Sequence, residues 1–168
     1  MTRAARANRR AFTLVEAVMS MLVVVVMIGA ALNVSASAVR ARASDADRAT
    51  AIALADALLD EILAKPYRED GAAPETLGLN PGESHDDRST CDDVDDYDAL
   101  DEKTIVSDDG VKIPGTRFWS RNVRVHWVTL ENPDKESAIP SGLKRVVVSV
   151  SFREKVLAVR SGLRSVGE

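Results

Sequence analysis

At 168 residues the chain is long enough for one domain plus an anchor and too short for two full domains. Its 22 Lys and Arg face 26 Asp and Glu, and setting aside Arg3, Arg6, Arg9 and Arg10 leaves 18 against 26, a formal charge of −8 on the rest. So acidic a body argues against nucleic acid as a direct partner, because phosphate contacts need clustered Lys and Arg. A single cysteine, Cys91, excludes an intrachain disulfide.

Those four arginines lie in residues 1–11 with no acid among them. From Ala17 to Leu32 the chain reads AVMSMLVVVVMIGAAL, where only Ser20 carries a strongly polar group. Extended back to Phe12, the run is about 21 residues, enough to cross a hydrocarbon core of ~30 Å. The positive-inside rule keeps residues 1–10 cytoplasmic and exports everything after Asn33. A cleaved secretory signal is the rival reading, with Ala36-Ser37-Ala38 as its small-x-small site.

The helical pattern continues past that run. No Pro or Gly interrupts Val34 to Lys65, and alanine is abundant. Ile52, Ala55, Leu58, Leu59, Ile62 and Leu63 recur at three- and four-residue spacing as one apolar stripe. Arg40, Arg42, Asp45, Asp47, Arg48, Asp56, Asp60 and Glu61 fall to the solvent side or to contacts with other subunits. Pro66 stops the run. The expectation is one helix over about 12–65, ~80 Å long at 1.5 Å per residue, with a transmembrane half at 12–33 and an amphipathic half at 34–65.

Residues 66–102 read as a long acidic loop, punctuated by Pro66, Gly71, Pro74, Gly78, Pro81 and Gly82. Strand patterns fill 103–168. Thr104–Ser107 and Val111–Ile113 flank Asp108-Asp109-Gly110, a hairpin turn signal. Val123, Val125 and Trp127 alternate along one run, and Val146, Val148, Val150 and Phe152 along another. Arg153-Glu154 can then turn the chain into Lys155–Arg160. These runs predict an antiparallel sheet of three to four strands, covered by the stripe at Ile52–Leu63. The fold class is α+β.

One run carries a family resemblance: Arg9-Arg10-Ala11-Phe12-Thr13-Leu14-Val15-Glu16. It resembles the prepilin peptidase site of type IV pilins and type II secretion pseudopilins, a basic leader, a small residue, then Phe-Thr-Leu-(Ile/Val)-Glu opening an apolar helix. Glycine is usual before the cut, and Ala11 is the next smallest side chain. The resemblance implies a pilin-like fold, removal of residues 1–11, Phe12 as an N-methylated new terminus, and Glu16 as the assembly residue. An ionised carboxylate near the start of a membrane helix is costly, up to ~3 kcal/mol at a helix centre and less near the interface. The α-amine released at Phe12, with a reference pKa of ~7.7–8.0, can neutralise Glu16 of an adjacent subunit.

The strand Leu143-Lys144-Arg145-Val146-Val147-Val148-Ser149-Val150-Ser151-Phe152 and the helix segment Ala51–Glu61 resemble the minor pseudopilin I and minor pilin V group. That implies a minor tip or priming subunit in the bacterial inner membrane, single-pass, N-terminus cytoplasmic and C-terminal domain periplasmic, before entry into a filament. Its partners would be other pilin-like subunits through helix packing, the prepilin peptidase and an inner-membrane assembly platform. The reading left beside it is an uncleaved, membrane-tethered periplasmic binding module.

No cofactor is required by this reading. The carboxylates of Asp92, Asp93, Asp95, Asp96 and Asp98 are spaced closely enough to supply oxygen ligands to Ca²⁺, against the plainer reading of a solvated charge run. Cys91, His85 and His126 lack the paired spacing of a zinc site. No nucleophile-elbow, phosphate-loop or dinucleotide motif occurs, so no catalytic residue is expected and the chain reads as a non-enzyme.

Overall fold

A computed structural model describes residues 13–69 and 76–167, and the basic leader, Ala11 and Phe12 fall outside the described residues. The chain divides after Ser44 into two compact units. It is α+β, with one long helix and a four-stranded antiparallel sheet.

Helix α1 spans Leu14–Leu63, 50 residues, within a residue or two of the expected ends. Thr13 caps it, its Oγ1 accepting the Glu16 N–H at 3.3 Å, so one orphan donor of the first turn is satisfied. In the first unit every described side chain is exposed. An 18-residue stretch reaches a mean hydropathy of 2.4, so α1 is long and apolar enough to cross a membrane by length and composition.

In the second unit α1 acquires a buried face made of Ala51, Leu54, Ala55, Leu58, Leu59 and Ile62, while Ile52 and Leu63 are half-buried. This is the expected stripe, widened by Ala51 and Leu54. The helix closes with the Lys65 N–H on the Ile62 carbonyl at 3.0 Å, and Pro66 cannot extend it.

The sheet is ordered β1 (Asp101–Glu102), β2 (Trp119–Trp127), β3 (Leu143–Phe152), β4 (Lys155–Ser165). Alternation puts Val123, Val125, Val146, Val148 and Val150 on the inner face, against Leu54, Leu58 and Ile62. Each such side chain contributes about 1.5–3 kcal/mol when fully buried. The two-residue turn at Arg153-Glu154 has φ of +49° and +68°, the left-handed pair that the twist of a tight hairpin favours. Neither residue is glycine, and the strain is offset locally. The Arg153 N–H donates to the Phe118 carbonyl at 2.9 Å, and its guanidinium stacks on the Phe152 and Phe118 rings at 5.1 and 5.3 Å.

Three placements differ from the sequence expectation. Asp101 and Glu102, expected in the loop, form β1 because Glu102 pairs in register with Arg121, whose guanidinium its carboxylate also holds. Thr104–Ser107 and Val111–Ile113 turn at Gly110, φ +78°, and are joined by a Val106–Lys112 bridge, outside the sheet. They are too short to extend it and instead deliver Ile105 to the core. Finally, the inner face of β3 begins with Lys144, wholly buried on the same parity as its valines.

Candidate functional site

Glu16 lies in the first turn of α1, where the helix dipole favours a carboxylate. Its backbone is engaged twice, by the Thr13 cap and by the Ser20 hydroxyl, which donates to its carbonyl at 2.7 Å. The side chain is exposed among exposed Leu14, Val15, Val18 and Met19, and among the described residues its carboxylate meets no donor. A lone acid thus stands at the head of an apolar rod. Ala11 and Phe12, the expected processing pair, lie outside the described residues.

The five aspartates of the acidic segment do not gather as one set. Asp93 is buried and caps a turn, its Oδ1 accepting the Asp95 N–H at 2.6 Å and its Oδ2 the Glu69 N–H at 2.7 Å. Asp98 Oδ1 accepts the Val125 N–H at 2.9 Å, tying the segment to β2. Asp95 is buried against Lys144, whose Nζ reaches its Oδ2 at 2.7 Å, the Tyr67 carbonyl at 2.5 Å and the Tyr67 ring at 3.7 Å. Burial pushes the Asp95 carboxyl up to about 6, and the Lys144 contact pulls it down by less. The segment is therefore folded, and the solvated charge run fails for these residues. Three of their carboxylates are committed to backbone amides and a buried cation.

Asp92 and Asp96 go elsewhere. Their carboxylates lie with that of Glu83, one oxygen from each within 4.8 Å of the others. Asp96 is wholly buried, Asp92 is exposed, and Glu83 is between. Asp96 Oδ2 accepts the N–H groups of Asp92 and Asp93 at 2.8 and 3.0 Å, whereas its Oδ1 is buried with no hydrogen-bond partner. Burial raises the Asp96 pKa, and the Glu83 carboxylate beside it adds to the rise against those backbone donors. Cys91, buried next to this group, is pushed up to about 11, by burial first and then by Asp96 and Glu83.

A second cluster was not anticipated. Arg88, buried, donates to Glu61 at 3.2 Å, to Glu102 at 3.4 Å and to the carbonyls of Val106 and Ser107. Arg121 donates to Glu102 at 2.6 Å and to the Val106 carbonyl at 2.7 Å. The Tyr97 hydroxyl completes Glu61 at 3.0 Å. Glu61, Arg88 and Arg121 floor an open cavity of about 590 Å³ lined also by Lys65, Ser107 and Asp108. Their charges are spent on one another, which makes the cluster a clamp joining α1, the acidic segment and β2. Glu61 is thus no solvent-side residue. Its spacing on α1 carried no signal of this, because the arginine it meets comes from a loop.

No protein-family model matches the chain, and neither a curated protein nor a solved structure matches it. Any functional reading rests on the chain's own residues.

Proposed function

We propose that this chain is a structural and assembly subunit of a pilin-like filament, either a type II secretion pseudopilus or a type IV pilus, of the minor tip or priming kind. The observation that carries the reading is Glu16: a carboxylate without a partner among the described residues, at the head of an apolar exposed helix, directly after the run Arg9-Arg10-Ala11-Phe12. A carboxylate in such surroundings is costly unless a cation neutralises it. The terminus released by cleavage before Phe12 is a cation of the right charge, and a neighbouring subunit can present it.

The division of α1 supports the same reading. Its first 20 or so residues are mainly apolar and exposed, suited to lipid and then to the helices of other subunits, while its last four turns are the cover of a sheet domain. Insertion, cleavage and extraction by an inner-membrane assembly platform would follow in that order.

Intact mass of the membrane-extracted chain tests the first step. A chain beginning at N-methylated Phe12 supports the proposal, and retention of the four leader arginines overturns it in favour of a tethered module. Glu16→Ala tests the second: the variant should be processed and inserted yet fail to enter filaments, and normal incorporation would defeat the pairing role.

A further inference from the structure

The carboxylates of Glu83, Asp92 and Asp96 present a chemical problem that the protein alone does not solve. One oxygen from each lies within 4.8 Å of the other two. Asp96 is 0% exposed, yet its Oδ1 has no donor, while Oδ2 already takes two backbone N–H groups. Glu83 is held toward the group by its own Oε2, which accepts the Asn80 N–H at 2.6 Å. The Lys65 ammonium, which also acts on Cys91, donates to the Cys91 carbonyl at 2.7 Å. A buried acceptor without a donor is destabilising, and more so when it is charged. A proton shared between Glu83 and Asp96 is the competing solution, with the exposed Asp92 left to water, and the test below separates the two.

We propose that Glu83, Asp92 and Asp96 bind one Ca²⁺, with Asp96 Oδ1 as the inner ligand, Asp92 as the solvent-side ligand and Glu83 closing the loop over it. The ion class follows from the ligand chemistry. Three carboxylate oxygens, one of them open to solvent, suit a hard cation, and Ca²⁺ accepts an irregular set completed by water where Mg²⁺ demands a near-ideal octahedron. The remaining positions of a six- to eight-coordinate ion are filled by water on the exposed Asp92 side. Of the five aspartates the spacing suggested, two are retained, and Glu83, nine residues before Asp92, replaces the other three. The bound ion would pin residues 83–96 to themselves and so hold the Asp95–Lys144 contact in place. This inference does not rest on the filament reading.

The test is titration of the full-length chain in detergent with CaCl₂ after EGTA treatment, read by calorimetric binding and by melting temperature. One ion per chain, with Tm raised by about 3–6 °C at millimolar Ca²⁺, is the expected result. Asp92→Asn, an exposed side chain without a structural hydrogen bond, should weaken binding at least tenfold, and Glu83→Gln likewise, while Asp101→Asn in β1, which is not part of the group, leaves it unchanged. Asp96→Asn serves as a further check if it folds. Absence of saturable binding at millimolar Ca²⁺ overturns the proposal. So does binding that Asp92→Asn and Glu83→Gln leave intact, or a chain stabilised by acidification from pH 7 to 5 and indifferent to Ca²⁺, the mark of a shared proton.

Discussion

The ammonium of Lys144 sits 2.7 Å from the carboxylate of Asp95, with the first side chain wholly buried and the second 6% exposed. The pair joins β3 to the acidic segment across the inside of the second unit, and the Tyr67 carbonyl and ring complete the ammonium's surroundings. Two charges are out of water here, each of them tolerable only because of the other.

Removing one partner should therefore cost more than an ordinary core change. Asp95→Asn leaves the ammonium uncompensated and is expected to lower stability by about 3–5 kcal/mol in a urea titration. Lys144→Met is milder, because the Asp95 carboxyl, raised by burial to about 6, can take a proton. The sign follows from linkage: a carboxyl with a raised folded pKa binds its proton more tightly than the unfolded chain does, so its contribution is largest at low pH and fades as pH rises through that value. Lys144→Met should thus lose less stability at pH 5 than at pH 8. Equal losses at both would show that Asp95 stays ionised without its lysine.

Gly162 faces a leucine that any larger residue would have to displace. A Cβ built there meets Leu63 Cδ1 at 2.6 Å, where the last turn of α1 rests on β4. Gly162→Val should destabilise by about 1–3 kcal/mol through overpacking. Combining it with Leu63→Ala, which makes room, should recover part of the loss, so that the two changes are non-additive in a double-mutant cycle. Simple additivity would mean that the helix end is not seated on β4.

Cys91 provides a reporter of whether the acidic segment is closed. The thiol is wholly buried and pushed up to about 11, so little thiolate exists at pH 8 and reagents cannot reach it. Ellman's reagent should react slowly with the native chain and rapidly in denaturant. Fast native reaction would show that residues 88–97 open readily.

Much of the architecture was legible because it depends on local periodicity. Helix α1 announced itself by a proline-free run and a stripe at three- and four-residue spacing, and β2 and β3 by alternating valines, since each period maps directly onto one face of an element. The turn at Arg153-Glu154 was legible from two strands separated by two residues, although glycine is the usual occupant. Strand β1 was not, because two acidic residues have no strand propensity and pair only once Arg121 is opposite Glu102.

The acidic segment shows where such reading stops. Its composition is that of a solvated loop, yet Asp93, Asp95 and Asp96 are buried: Asp93 on the Glu69 amide 24 residues away, Asp95 on Lys144 49 residues away, and Asp96 on the amides of Asp92 and Asp93. Sequence alone determined the apolar helix, the acid at its head and the alternating strands, because those follow from residue order and the geometry of one element at a time. Tertiary structure decided which charges meet. Glu61 with Arg88 and Asp95 with Lys144 come together only when separate elements pack, and Glu83 with Asp92 and Asp96 only when one segment folds back on itself, since buried charge is tolerated according to its partner in space, whatever its neighbour in the chain.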